Sequence, residues 1–298
     1  MANLRDIKKR INSVKSTKQI TRTMEMVATA KIRKATDRVV AATPYSQAML
    51  EMLGNLAGKA SGDSHPLLAN HTEKKNAIFI VIASDRGLAG AFNQQVLRAA
   101  EKKAKAYAAE GIQTSYILCG KKAIGYFAYR GVTPDMQFAG LSADPTFDQA
   151  SRIASYVRDL YEQGKVDEVI LWYNHARNAA DQDLRTEQNL PVEIAKEEAA
   201  DAAEAEAKAV ASFDFEPDEA AVLNKLLPAY VETMVYHGLI DSAAGEQGAR
   251  RKAMKSATDN ATEISNTLQR QYNRARQGAI TTELNEIVAG AAAQKKEE

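Results

Sequence analysis

Cysteine is nearly absent: one residue, Cys119, in 298. It has no partner within the chain, so an intramolecular disulfide is excluded and a reducing compartment fits. No stretch approaches the roughly 18 apolar residues that cross a bilayer as a helix. The bulk charge has no sign to speak of, with 39 basic against 38 acidic residues. Four histidines, His65, His71, His175 and His237, stand at no metal-ligand spacing with one another or with Cys119. There is no GxSxG elbow and no His-Glu-x-x-His helix. Gly120-Lys121-Lys122 hints at a phosphate loop, but Ser115 stands where the earlier glycine belongs and Lys122 where Ser or Thr belongs. The residues therefore offer no catalytic site, no metal site and no cofactor-binding site.

What is present is a separation of two helical ends from an α/β middle. Leu4, Ile7, Ile11 and Val14 are spaced three, four, three; the register returns at Ile32, Ala35, Val39 and Ala42, then at Met49, Leu53 and Leu56. That is a heptad seam. Ile264, Leu268, Gln271 and Ala275, then Leu284, Ile287 and Ala291, keep a similar step. Each stripe is too narrow for a globular core helix, so each wants a partner, and the nearest partner for the first is the second. Residues 1–58 read as an N-terminal coiled-coil helix, with a kink or short break at Pro44. Unbroken, it would reach about 80 Å at ~1.5 Å per residue. Residues 218–298 read as the C-terminal coiled-coil helix, capped by Asp218 and divided by Pro228 from its longest part. The basic, acid-poor start looks like a transit peptide but continues its helical register, and so reads as mature structure.

The middle, residues 76–194, reads as an inserted α/β domain. Ala77–Ala83 is an unbroken apolar run, expected of a strand buried on both faces. Helix follows from about Phe92 to Ala109, strand over Thr114–Cys119, a short helix over Lys121–Tyr129, helix over Thr146–Gln163 and strand over Glu168–Asn174. Alternation of this kind implies βαβ units and a parallel sheet covered by helices. Leu184–Val192 is a further strand or edge. Residues 195–217 form an acidic linker of Ala, Glu, Lys and Asp.

Charge is unevenly spread. Residues 1–40 carry eleven Lys/Arg against three acidic side chains, and residues 250–276 carry seven against two. Residues 193–219 reverse this, with ten acidic against two basic. Positive helices beside a negative connector call for a partner surface that is acidic where it meets them. Nucleic acid is one such partner, but no aromatic residue precedes Tyr45 to stack on bases, which favours a protein-facing coiled coil. A homodimeric coiled-coil adaptor shares the architecture and stays open at this point. Ser84–Asn93 leaves the first strand and enters a helix, the junction where parallel sheets hold ligands. Its glycines lack the dinucleotide spacing, so a plain strand-to-helix turn is the simpler reading.

Three separated segments carry a resemblance. Ile20-Thr21-Arg22-Thr23-Met24-Glu25-Met26-Val27-Ala28 with Lys31, the loop Ser84–Asn93, and Ile280-Thr281-Thr282-Glu283-Leu284-Asn285-Glu286-Ile287-Val288-Ala289-Gly290-Ala291, preceded by Tyr272–Gln277, resemble the gamma subunits of bacterial F-type ATP synthases, in the same order and across the whole chain. The resemblance implies a long antiparallel coiled coil of the two terminal helices with an inserted Rossmann-like α/β domain. It implies a central rotor shaft, non-catalytic itself and without a cofactor. The implied partners are three alpha and three beta subunits, an epsilon subunit and a ring of c subunits, with no nucleic acid; the implied location is peripheral, on the cytoplasmic side of a bacterial membrane. It further implies that Met24, Arg250, Arg276, Gln277 and Thr281 contact the catalytic ring, that Asp85, Arg86 and Gly87 form a contact loop of the lower domain, and that the small-residue tail from Ala289 turns in an apolar bearing. Departures are Gly245 and Gly248, where serine and alanine are expected, and Arg251, where an apolar residue is expected. Two helix-interior glycines at about 1 kcal/mol each would loosen the shaft there. The cysteine-bearing insertion of chloroplast relatives is missing, which argues against thiol control.

Overall fold

A computed structural model describes residues 4–57, 65–71, 73–178, 181–193 and 218–294. The acidic stretch 195–217 lies outside the described residues, as do the side chains of the alanine-rich tail after Gly290. In chain order the elements are α1 (Leu4–Ala57), a 3-10 turn (Pro66–Leu68), β1 (Asn76–Ile82), α2 (Phe92–Ala109), β2 (Gln113–Cys119), α3 (Lys121–Ala128), β3 (Met136–Phe138), α4 (Phe147–Glu162), β4 (Glu168–Ala176), β5 (Gln182–Leu190) and α5 (Glu219–Gln294). Two compact units divide the chain: Ala28–Arg250, and Met1–Val27 with Arg251–Glu298.

In the larger unit a five-stranded sheet runs in the order β3-β2-β1-β4-β5. β1 is central and parallel to β2 and β4, and β3 is parallel to β2. β5 is antiparallel to β4, so the sheet is mixed rather than parallel throughout. The short chain between β4 and β5 explains this, since a hairpin fits there and a crossover helix does not. Alternation along β1 divides the core. Ile78, Ile80 and Ile82 face α4 and the ends of α1 and α5, where they join Met49, Leu53, Leu56, Leu227, Val231 and Val235. Ala77, Phe79 and Val81 face α2 and α3, packing with Val96, Leu97, Ala100 and Phe127. Helix α4 starts at a capping box, with the Thr146 side chain and Gln149 bonding each other's backbone.

The two long helices meet this sheet already paired. Thr43, Gln47 and Leu50 line one cavity with Tyr230, Met234 and His237, while Lys31, Lys34 and Arg38 line another with Ile240, Ala243 and Gln247. Rising numbers on α1 face falling numbers on α5, so the pair is antiparallel. The seam on α1 keeps one uninterrupted alternation of three and four from Leu4 through Ile32 and Met49 to Leu56, and no position in it is exposed. Helix α1 passes through Pro44 without a break. Pro44 is exposed, so its ring faces away from the partner helix. Pro228 likewise lies inside α5, which runs unbroken from Glu219. The cap is where the sequence put it: Asp218 Oδ1 accepts from Ala221 N at 2.7 Å.

In the smaller unit the seam on α5 is offset from the apolar stripe. Met254, Thr258, Ala261, Ser265, Leu268, Tyr272 and Ala275 are the covered positions, whereas Ile264 is 50% exposed and Gln271 is exposed. Small and polar side chains pack here because the hydroxyls pair: Thr258 Oγ1 donates to Thr21 Oγ1 at 2.8 Å. Seventeen residues back from Thr21 is Leu4, the first described residue of α1, and seventeen forward from Thr258 is Ala275. Coverage ends there, and Arg276 through Gly290 are all exposed. Leu284 and Ile287, expected to pair with α1, instead belong to a single-helix overhang.

Candidate functional site

The expected contact loop follows β1. Ser84 is buried and held by Asn93, whose Oδ1 accepts from Ser84 N at 2.8 Å. Asp85 does not point outward. Its Oδ1 accepts from Gly140 N at 2.8 Å and Lys121 N at 2.9 Å, and its Oδ2 from Ser142 N at 3.0 Å and Ser142 Oγ at 2.9 Å. Burial pushes this carboxyl up, but those donors outweigh it and hold Asp85 below the usual carboxylate range. The carboxylate thus fills the crevice between the ends of β1, β2 and β3, beside the β1/β4 switch point where a doubly wound sheet takes a ligand. Gly120, part of the discarded phosphate-loop hint, closes the same crevice: it sits at φ 92°, with its N–H donating to Phe138 O at 2.7 Å. Arg86 is exposed, and Leu88 beyond it is 63% exposed at φ 64°.

Asp85→Asn is expected to lower the melting temperature at neutral pH, because an amide nitrogen cannot accept these N–H donors. The folded pKa is depressed, so the carboxylate's contribution is present above its unfolded value and is lost as pH falls through the folded one. Melting curves of parent and variant should therefore converge below the carboxylate range. Parallel curves at all pH values would show that Asp85 does not act through its charge.

The loop's second anchor is on α5. Arg250 Nη2 donates to Gly87 O at 3.4 Å and to Glu246 Oε1 at 2.6 Å, and Nη1 donates to Gln247 Oε1 at 3.2 Å. The Arg250 side chain is only 10% exposed. In this chain its guanidinium is bonded to Gly87, Glu246 and Gln247. Burial pushes the Glu246 carboxyl up, and Arg250 opposes that rise. Gly245 is not a loose point in the helix. A Cβ there would stand 3.2 Å from Asn174 O and 3.3 Å from a Phe92 ring carbon, so the glycine permits close approach of helix to sheet. Gly248 is buried in the same stretch.

Three of the sequence candidates, Asp85, Gly87 and Arg250, are thus brought together. Met24, half-buried, and Arg276, Gln277 and Thr281, all exposed, belong to the smaller unit. Thr281 Oγ1 donates to Gln277 O at 3.0 Å along its own helix. Sequence reasoning missed Ser142, Glu246, Asp241 and His175. Glu246 had a legible signal, standing four residues before Arg250, the favoured order for an intrahelical ion pair. Ser142 had none. Three of the histidines have structural partners: His65 accepts from Leu67 N at 3.1 Å, His71 pairs with Asp167 at 2.7 Å and His175 with Asp241 at 2.6 Å. No helix among the described residues is long and apolar enough to cross a membrane.

Two long helices are thus paired antiparallel, with an α/β insert between them whose strand-end crevice is stapled by its own carboxylate. The ATP synthase family model matches residues 3–294. The ATP synthase gamma chain of Heliobacterium modesticaldum is 42% identical over 293 residues, covering 98% of this chain and 99% of that one. The gamma chain of Pelotomaculum thermopropionicum is 43% identical with the same coverage. Among solved structures, a chain of the central stalk and c-ring of the Tetrahymena thermophila mitochondrial ATP synthase is 25% identical, with TM-score 0.58 over 80% of this chain and 99% of that one. A chain from the Euglena gracilis mitochondrial ATP synthase, 19% identical, shares the fold with TM-score 0.66 over 98% of this chain and 94% of that one. The chain belongs to the family of ATP synthase gamma chains.

Proposed function

We infer that this chain is the central rotor shaft of an F-type ATP synthase, coupling ion flow through a membrane c-ring to ATP synthesis or hydrolysis in a ring of three alpha and three beta subunits. The observation that carries this reading is the antiparallel helix pair flanking an α/β insert, in a chain matched from end to end by gamma chains. A shaft drives identical catalytic subunits into different states only by touching each differently, since differential contact energy is what shifts a conformational equilibrium. The overhang of α5 beyond Ala275 supports this, because a lone helix presents a different side chain to each direction around it. Its exposed Arg276, Gln277 and Thr281, with Met24 on α1, are the contacts we assign to the catalytic ring. Arg and Gln suit that task because they make directional hydrogen bonds that can be exchanged on turning. Asp85 shapes the lower contact loop, Arg86 is its exposed member and Gly87, held by Arg250, completes it; the lower partners are the epsilon subunit and the c-ring. The coupling ion is a proton or sodium, and the complex sits on the cytoplasmic face of a bacterial membrane, with this chain meeting the bilayer only through the c-ring.

The test uses the assembled complex. Tyr129 is 90% exposed, and Cys119 is buried with its thiol pushed up to about 12, so a Tyr129→Cys variant takes a label at one place. With alpha and beta subunits fixed to a surface and ATP supplied, a bead on that cysteine should turn in one direction. Hydrolysis with a stationary bead would remove the shaft reading.

A further inference from the structure

Every residue of α5 from Gly238 to Arg250 is buried, enclosed between α1 and the α/β insert. The stretch is apolar or small at Gly238, Leu239, Ile240, Ala243 and Ala244 and polar at Asp241, Ser242, Glu246, Gln247 and Arg250. Two of these buried polar side chains are carboxylates. Asp241, 1% exposed, accepts from Ala176 N at 3.0 Å and pairs with His175 Nδ1 at 2.6 Å, both at the end of β4. Glu246, 3% exposed, holds Arg250, which in turn donates to Gly87 O on the loop after β1. That loop is itself stapled by Asp85, so Gly87 stands on fixed ground. Between the two carboxylates, Gly245 brings the helix against Asn174 O, one residue from His175. Five residues on a helix turn the two side chains well apart around its axis, so the ties reach the sheet at two different strand ends.

We propose that Asp241 with His175, and Glu246 with Arg250 and the Gly87 carbonyl, are positioning residues that lock the α/β insert to the shaft helix and pass torque between them. The proposal rests on the shaft reading above. A buried carboxylate resists displacement strongly, because pulling away one partner leaves a charge unpaired where no water reaches it. Close packing already resists relative motion, and these bonds add resistance that depends on orientation.

The test is made on the complete complex in lipid vesicles, measuring ATP hydrolysis and ATP-driven ion uptake together. Asp241→Ala and His175→Ala should each lower ions moved per ATP by about fivefold, the effect expected when a coupling is weakened modestly. Hydrolysis by the detached catalytic portion should stay within about twofold of the parent, since neither residue is among the contacts assigned to the catalytic ring and distant sites act independently. His175 is partly exposed, so its removal leaves no large cavity and keeps the test available if Asp241→Ala fails to assemble. His175→Asn should restore much of the loss, because its Nδ2 donates from nearly the position of the ring Nδ1. An unchanged ratio in assembled His175→Ala complexes overturns the proposal. So does a fall in detached hydrolysis equal to the fall in uptake, which marks a merely structural role. Ion uptake by complexes lacking this chain altogether would overturn the shaft reading itself, a result separate from either.

Discussion

Gly120→Ala should melt on the order of 10 °C below the parent chain, the shift expected for a loss of about 4 kcal/mol in a domain of this size. A Cβ at Gly120 would stand 2.0 Å from the Ala83 carbonyl oxygen and 2.8 Å from its carbon. Both are backbone atoms of the segment leaving the central strand. They cannot retreat without pulling on Ala83 N→Cys119 O at 2.9 Å and Lys122 N→Ser84 O at 3.0 Å, the bonds that tie the ends of β1 and β2 together. The φ of 92° adds its own cost, since a side chain disfavours that region of backbone space. Gly125 in α3 is the control. Nothing lies within 4 Å of a Cβ built there, so Gly125→Ala should leave the fold intact and stabilise it by up to about 1 kcal/mol. Equal melting of the two variants would mean that the strand-end crevice does not depend on the close approach at Gly120.

Much of the architecture was legible because its signals are periodic. The three-four alternation on α1 needs no tertiary information, and it runs the helix's full length as read. The continuous apolar run at β1 placed the central strand for the same reason, since burial on both faces leaves no alternation. What failed was local. Pro44 and Pro228 looked like breaks, yet packing across the pair holds both helices through them. β3, three residues long, has too little sequence to show a pattern. On α5 the eye follows Ile264 and Gln271, while the seam uses Ser265 and Tyr272, because a contact between hydroxyls and small residues leaves no hydrophobic trace. The site divides similarly. Asp85, Arg86 and Gly87 were found as a strand-to-helix loop, but Asp85 is satisfied by Ser142 and Gly140, more than fifty residues away. Such partners are set by topology, not by spacing. Gly245 shows the reverse error: read alone it weakens a helix, whereas against Asn174 it is the residue that fits.

Replacing Arg276 and Gln277 together with alanine should leave the isolated chain's helix content and melting nearly unchanged while lowering ATP turnover of the complex tenfold or more. Both side chains lie on the overhang of α5, past the point where α1 can cover it. An exposed arginine contributes on the order of 0–1 kcal/mol to the fold that carries it, so the chain itself loses little. In the assembled ring the same groups would be enclosed and hydrogen-bonded, and truncating such contacts costs about 2–5 kcal/mol. Each 1.36 kcal/mol of lost transition-state stabilisation is a factor of ten in rate, so even the low end of that range is large. A solvated helix face, by contrast, predicts no change in either quantity. The deciding comparison is therefore turnover per assembled complex against the melting of the isolated double variant. Reduced turnover with normal melting assigns these residues to the interface, and reduced melting in step with turnover assigns them to the fold. Normal assembly with normal turnover removes Arg276 and Gln277 from the catalytic-ring contact and leaves the overhang's apolar residues, Ile280, Leu284 and Ile287, to carry whatever grip the ring has on this end of the shaft.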